Sequence, residues 1–240
     1  MIRLTSHQEI ITHLHTLADE QNRTGMARFG IETSRAFGIS VTTLRSLAKS
    51  IKADCKADTI SLHNLVLELW ETGFHEARLL AILLDNPKEM TTEQIESWVR
   101  DLDSWDTCDQ LCSNLLWKLP NADALIQAWC AEEAVFVRRA GFALIAVSAV
   151  HDKKAPDARF HTFFPLLEQY AYDDRNFVKK AINWAVRQIG KRNPRLQAEA
   201  IELAKRIKSQ DTKSARWIAS DALRELENYI FRTKPKRSSS

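Results

Sequence analysis

The segment DSWDTCD at 103–109 places an aromatic ring and a carboxylate at a spacing that suits chemistry on a cation. Trp105 and Asp109 are four residues apart, so on a helix they are neighbours on one side. A π-face and a carboxylate together can stabilise a developing positive charge. A structural interpretation is equally open: Ser104 or Asp106 caps the helix, and Asp109 makes a salt bridge or interacts with the helix N-terminus.

The same Trp-x-x-x-Asp spacing occurs a second time, at Trp217 and Asp221. Both of these residues point away from the apolar stripe of their own helix. The spacing by itself is therefore not diagnostic of a site. Because terminal repeats often cover the end of an array, we expect a structural role for Trp217.

A helix predicted over 176–191 combines aromatic and basic residues on one face. Its apolar stripe consists of Val178, Ala181, Ile182, Ala185, Val186 and Ile189. Helical geometry places five larger side chains on the opposite side: Phe177, Lys180, Trp184, Arg187 and Lys191. Trp184 could pack against a neighbouring repeat. The functional interpretation is an aromatic contact surface flanked by phosphate-binding cations.

Arg138 and Arg139 precede an almost uniformly apolar helix that runs from 140 to 150. Cations in this position are usually solvated or paired with an acid of the next repeat. On a concave repeat surface they could instead contact phosphate.

The remaining polar residues indicate no metal or cofactor site. The seven histidines are scattered along the sequence, and the four cysteines lack the Cys-x-x-Cys spacing of zinc sites. We expect the cysteines to be small buried residues. The sequence has no glycine-rich phosphate loop and no Gly-x-Ser-x-Gly motif. We therefore expect neither a cofactor nor a metal.

The elements that position these residues are helices. Apolar residues recur at three- and four-residue spacing, and six Gly and six Pro in 240 residues leave few turns. Ser40 is a predicted N-cap, Asn86-Pro87 a predicted helix end, and Thr91-x-x-Gln94 a predicted capping box. We expect the last helix to run to about Phe231.

Related apolar helices recur along the chain and predict a repeat architecture. They begin at Glu76, Cys108, Arg138, Lys179 and Ser214. Their spacing of about 40 residues is typical of two-helix solenoid repeats, which stack into a curved array with a concave surface. The prediction is an all-α fold with a single domain over 1–232, followed by a basic disordered tail at 233–240.

The overall composition is that of an ordinary folded protein. Hydrophobic residues make up 45% and charged residues 27%, with a net charge of +3, which permits a nucleic-acid partner without demanding one. Residues 1–20 alternate polar and apolar side chains at helical spacing, unlike a signal peptide or a membrane span. We expect a cytoplasmic protein with reduced thiols and no membrane partner.

Five segments together resemble the DNA alkylation repair enzymes, the HEAT-like-repeat alkylpurine DNA glycosylases. They are FGISVTTLRSLAK from Phe37, LWETGFHEARLLA from Leu69, DSWDTCD from Asp103, VRRAGFAL from Val137 and KKAINWAVRQIGKRNP from Lys179. The resemblance implies a right-handed helical superhelix that holds DNA in its concave face. It also implies hydrolysis of the N-glycosidic bond of 3-methyladenine and 7-methylguanine in duplex DNA, without a deep base-flipping pocket.

The resemblance also implies roles for individual residues. Asp109 corresponds to the catalytic aspartate, and Trp105 and Trp184 to the two active-site tryptophans. Arg139 corresponds to a DNA-contacting arginine and Arg187 to a basic position after the second tryptophan. Four basic residues would join Arg139 on the DNA backbone: Arg138, Lys180, Arg187 and Lys191. We expect a monomer acting on alkylated double-stranded DNA. The alternatives are a non-catalytic module that binds damaged or branched DNA, and a protein-scaffolding solenoid.

Overall fold

The computed structural model describes residues 3–58 and 61–231. Every regular element in that part of the chain is a helix, which confirms the all-α prediction. No described helix is long and apolar enough to cross a lipid bilayer. The predicted tail at 233–240 lies outside the described residues.

The chain divides into two compact units, Met1–Leu125 and Ile126–Ser240, which we call the first and second units. The division falls inside helix α8 (Ala122–Ala131). The assignment of 1–232 to a single domain stays a prediction.

The described residues of the first unit form seven α-helices before α8. They are α1 (His7–Thr16), α2 (Glu20–Arg28), α3 (Val41–Asp58), α4 (Leu62–Glu71), α5 (His75–Leu84), α6 (Thr92–Arg100) and α7 (Trp105–Asn114). Helices α3, α5 and α7 pack side by side, with α4 against α5 and α1 against α4. Trp70 on α4 stacks on Trp98 of α6 at 4.1 Å between ring centroids. The apolar stripes of this unit are thus buried between successive helices.

In the second unit, the described residues after α8 form six further helices. They are α9 (Val135–His151), α10 (Asp157–His161), α11 (Phe164–Gln169), α12 (Asn176–Gly190), α13 (Pro194–Ser209) and α14 (Lys213–Glu227). Helix α12 packs between α9 and α14, and α13 packs against both α12 and α14. The row α9, α12 and α14 consists of three of the apolar segments recognised as related in the sequence.

Several predicted helix ends are confirmed. Thr43 N–H donates to the Ser40 hydroxyl at 3.2 Å, so Ser40 caps α3. Helix α5 ends at Leu84, before Asn86-Pro87. The predicted capping box is half formed: Gln94 N–H donates to Thr91, whereas the Gln94 side chain donates to Asp85 Oδ2 at 2.7 Å.

The helix that begins at Trp105 ends at Asn114 and is followed by a 3-10 turn, Leu116–Lys118, after which Leu119 is extended before Pro120. The predicted extent of the last helix is wrong. The last helix ends at Glu227 and not near Phe231. There the Asn228 side chain donates to the Arg224 carbonyl at 2.7 Å, which satisfies one of the last free carbonyls of the helix.

Candidate functional site

A cleft of about 1090 Å³ lies within the first unit and contains both residues of the Trp105–Asp109 pair. Helix α2, the segment from 29 to 41, and the first turns of α5 and α7 form its walls. The lining side chains that can take part in hydrogen bonding or catalysis are His75, Trp105, Asp106, Asp109 and Gln110. A volume of this size suits a small molecule or a nucleoside fragment.

The first turns of α7 bring Trp105 and Asp109 into the cleft one helical turn apart. Both are half-buried. The indole Nε1 of Trp105 donates to the Phe29 carbonyl at 3.1 Å. Phe29 itself is 72% exposed and lines the same cleft. The predicted neighbourhood of indole and carboxylate on one side of a helix is therefore present.

Ser104 and Asp106 do not cap α7 in the way that the structural interpretation expected. Ser104 stands at the N-cap position without a side-chain cap bond. Its buried hydroxyl instead accepts from Glu32 N–H at 3.1 Å. The hydrogen bonds to Phe29 and from Glu32 thus hold the segment that forms one wall of the cleft against the start of α7.

His75 lines the cleft and is the hydrogen-bond partner of Asp106. It is the first residue of α5 and is only 6% exposed. Its Nε2 lies 2.9 Å from Asp106 Oδ2. Burial lowers the pKa of the imidazole, but the hydrogen bond to Asp106 and the surrounding carboxylates outweigh burial, and the pKa of His75 lies above its ordinary value of 6.5.

Glu76 holds the wall of the cleft from the inside. Its fully buried carboxylate accepts three backbone N–H groups, from Phe37 at 2.8 Å, Gly38 at 2.7 Å and Ile39 at 3.0 Å. Gly38 has a φ of 83°, and a Cβ there would lie 2.2 Å from the Asp19 carbonyl oxygen. Only glycine fits this tight turn.

His75 and Glu76 are the residues of the candidate site that sequence reasoning missed. The signal was present in LWETGFHEARLLA, where two polar residues begin an apolar helix. A buried glutamate needs hydrogen-bond donors, yet its donors lie 37–39 residues away in sequence. No local pattern connects residues at that separation.

The predicted apolar stripe of α12 in the second unit is confirmed, because all six of its residues are fully buried. Trp184 lies on the other side and is half-buried. When the Gln188 amide is oriented to satisfy its neighbours, its oxygen accepts from Trp184 Nε1 at 3.2 Å and from Lys191 Nζ at 3.1 Å. The indole edge is thus held within its own helix.

The basic residues of α12 are partly neutralised by acids of α14. Glu225 pairs with Arg187, and with Lys191 at 2.6 Å. Burial raises the pKa of the Glu225 carboxyl, but the hydrogen bonds from Lys191 and Arg187 outweigh burial and lower it overall. Asp221 lies 3.8 Å from Arg187. Of the predicted cations on this face, Lys180 is the exposed one.

Arg138 and Arg139 are buried at the start of α9, with 3% and 5% of each residue exposed. Arg138 pairs with Asp173 at 2.8 Å, so of the interpretations given above, pairing with an acid of the next repeat is realised. Arg139 donates from Nη1 to the Phe177 carbonyl at 2.6 Å. These guanidinium groups join α9 to the elements that follow it.

The second Trp-x-x-x-Asp pair has different surroundings. Asp221 accepts from Asn183 Nδ2 at 3.1 Å and pairs with Arg224. Trp217 is 41% exposed, and Lys179 Nζ lies 5.6 Å from the centre of its ring. This carboxylate therefore belongs to a network of ion pairs between α12 and α14.

The four cysteines are buried, as expected for small apolar residues. In the part of the chain that the structure describes, no three His, Cys, Asp or Glu side chains are grouped as metal ligands.

The fold is that of HEAT-like repeats. A solved structure of a protein described as a member of "a new family of proteins related to the HEAT-like repeat DNA glycosylases with affinity for branched DNA structures" superimposes with a TM-score of 0.71. The two sequences are 17% identical, and the match covers 91% of this chain and 94% of that one. No curated protein matches this chain significantly.

A sequence profile described as DNA alkylation repair enzyme matches residues 10–226. This range contains the cleft residues of α5 and α7 and all of α12. It agrees with the resemblance carried by the five sequence segments, and the chain belongs to the DNA alkylation repair enzyme family.

Proposed function

We propose that this protein is a DNA glycosylase that hydrolyses the N-glycosidic bond of cationic alkylated purines, such as 3-methyladenine and 7-methylguanine, in duplex DNA. The observation that carries the proposal is the presence of Trp105 and Asp109 in one cleft, a helical turn apart. Asp109 is the proposed catalytic carboxylate, and Trp105 and Trp184 are the proposed aromatic contacts.

The charge of the substrate explains why one carboxylate suffices. A purine alkylated at N3 or N7 is already cationic, so it accepts the electron pair of the breaking C1′–N bond without protonation. The paired carboxylates of ordinary glycoside hydrolases are then unnecessary. The remaining tasks are to stabilise the positive charge that develops on the sugar and to position the attacking water.

Asp109 can perform both tasks. Its negative charge stabilises an oxocarbenium-like sugar, and a carboxylate oxygen can accept the proton that water loses as its oxygen bonds to C1′. The π-face of Trp105 stabilises the same charge, and Trp184 offers a second aromatic face to the DNA. Because Trp105 Nε1 is held by the Phe29 carbonyl, its ring is preorganised and requires little ordering when DNA binds.

The proposed phosphate contacts are Lys180, Arg187 and Lys191. Lys180 is exposed, whereas Arg187 and Lys191 would exchange Glu225 for phosphate when DNA binds. Arg138 and Arg139 are buried and bonded within the second unit. We therefore assign them a positioning role in place of the direct DNA contact expected from the sequence.

A second candidate function is binding of branched DNA without base release. The observation that favours it is the fold shared with a protein described as having affinity for branched DNA structures. The cleft and its carboxylates would then have no catalytic role.

A base-release assay on methylated duplex DNA separates the two functions. We expect release of 7-methylguanine or 3-methyladenine without added metal, and a loss of at least about tenfold for Asp109→Asn with DNA affinity nearly unchanged. Asp103→Asn is the matched control, since Asp103 belongs to the same segment and does not line the cleft. Equal activity of Asp109→Asn and wild type would refute the mechanism. DNA binding without release on either lesion would favour the second function.

A further inference from the structure

Trp217 has an exposure that is unusual for tryptophan in this protein. Of the seven tryptophans, three are buried, three are half-buried, and Trp217 is exposed at 41%. A tryptophan that served only to cover the end of the repeat array would be expected to bury most of its ring. The expected structural role therefore does not account for this position.

Two lysines accompany the Trp217 ring. Lys179 of α12 places Nζ 5.6 Å from the ring centre, within the range of a cation–π contact. Lys213, one turn before Trp217 on α14, is exposed. Among the residues that the structure describes, neither lysine has an ion-pair partner. We call Lys179, Lys213 and Trp217 the Trp217 platform.

The platform repeats part of the α12 surface at which we place DNA. Five buried residues of α12 fall on buried residues of α14 when α12 is shifted by 33 positions, since 181, 182, 185, 186 and 189 become 214, 215, 218, 219 and 222. The same shift takes Lys180 to Lys213 and Trp184 to Trp217. Helix α14 thus presents the lysine and the tryptophan of α12 again, one repeat later.

A further exposed aromatic residue belongs to the segment that contacts the first turn of α14. Tyr172 is 53% exposed. It precedes Asp173, whose carbonyl accepts from the Ser214 hydroxyl at 2.6 Å, so the segment carrying Tyr172 is held against the first turn of α14. Aromatic rings near lysines are the elements from which surfaces for unpaired nucleotides are built.

We propose that the Trp217 platform binds single-stranded DNA, with the indole stacked on an unpaired base and Lys179 and Lys213 on the flanking phosphates. In a duplex each base is already covered by its neighbours, so an exposed indole finds a free base face only where pairing is interrupted. The lysines complement the charge of the phosphate backbone. This activity goes beyond glycosylase chemistry and does not require it.

The test compares two labelled DNAs by fluorescence anisotropy. One is an oligothymidylate of about 16 nucleotides, the upper end of common site sizes, and the other is a blunt duplex of equal length. Thymine carries no alkylation and the oligomer forms no duplex, so neither lesion nor pairing contributes. We expect Trp217→Ala to weaken oligothymidylate binding about tenfold and duplex binding by less than about twofold. Trp217→Phe is expected to keep most of the oligothymidylate affinity. Adding Tyr172→Ala to Trp217→Ala is expected to lower that affinity further.

Charge is tested with a matched pair of lysine variants. Lys213→Glu is expected to weaken oligothymidylate binding and to reduce the slope of log K against log salt by about 0.7 per lost phosphate contact. Lys208→Glu on α13 changes the net charge equally at an exposed position outside the platform, and we expect a smaller effect.

Equal effects of the two lysine variants, or an unchanged oligothymidylate affinity of a Trp217→Ala variant with wild-type circular dichroism, would overturn the proposal. Base release from methylated duplex is expected to be the same for Trp217→Ala and wild type. A failure of the glycosylase proposal would instead appear as absent release in both proteins, with oligothymidylate binding still sensitive to Trp217.

Discussion

His75 and Asp106 join the first residue of α5 to the first turn of α7, with 2.9 Å between Nε2 and Oδ2. Asp106 lies between Trp105 and Asp109 in sequence, and all four residues line the cleft. The pair therefore fixes the turn from which the proposed catalytic carboxylate projects.

The raised pKa of His75 predicts a pH-dependent stability. Because the folded protein holds the proton more tightly than the unfolded chain, this contribution is fully present below the ordinary value of 6.5 and is lost as pH rises through the folded pKa. We expect the free energy of unfolding in urea to fall as pH increases above about 6.5. His75→Gln should remove this dependence and cost about 1–3 kcal/mol at low pH.

His13→Gln is the control for that experiment, because His13 lies on α1 outside the cleft lining. The control variant is expected to keep the wild-type pH dependence. A His75→Gln protein whose stability follows the wild-type pH curve would show that the pair does not supply the effect.

Glu225 restrains two of the cations proposed to bind phosphate. Glu225→Gln removes the charge that pairs with Arg187 and Lys191. We expect duplex affinity to rise about threefold and the salt slope to steepen by about one for each cation released. Titrations at two or more salt concentrations measure both quantities.

The matched variant for this prediction is Glu202→Gln, which removes an exposed carboxylate that pairs with Lys205 on α13. The two variants change the net charge equally. If both raise the affinity by the same factor, the increase comes from overall charge, and the specific role of Glu225 is disproved.

Trp184 is the aromatic residue of the second unit to which the proposed mechanism gives a direct role. Trp184→Ala is expected to reduce base release about tenfold, with Trp184→Phe retaining more activity because a π-face remains. Trp117→Ala provides a comparison, since Trp117 is also half-buried and its Nε1 donates a hydrogen bond to the Ser113 carbonyl within the same segment. Single-turnover release rates separate an effect on the chemical step from an effect on binding. Equal losses in both variants would remove Trp184 from the mechanism.

Gly141 on α9 lies close to the backbone of α8 at Cys130. A Cβ at this position would lie 2.8 Å from both the backbone nitrogen and the Sγ of Cys130. Since the backbone nitrogen cannot move aside easily, Gly141→Ala is expected to destabilise the protein by about 1–3 kcal/mol in urea unfolding.

At Gly25, another helical glycine, substitution by alanine is expected to change the stability in the opposite direction. No atom lies within 4 Å of a Cβ at Gly25, so the substitution should stabilise α2 by about 0.5–1 kcal/mol through the lower entropy of the unfolded chain. Destabilisation of the same size at both positions would contradict the packing explanation.

The sequence alone determined the helical class, several helix starts and the side of α12 that is buried. These properties follow from interactions between residues three or four positions apart, and their spacing is visible in any stretch of the chain. The pairing of Trp105 with Asp109 was predictable for the same reason.

The tertiary structure decided which charged groups are already paired within the protein and which are available to bind a ligand. Glu225 neutralises Arg187 and Lys191 from 34–38 positions away, and Asp173 binds Arg138 from 35 positions away. Likewise, His75 reaches Asp106 across 31 residues. Such partners meet only when successive repeats stack, because the stacking register brings together side chains that no helical period relates. A local pattern can therefore place a cation on a face, whereas only the packed repeats decide whether an acid already holds it.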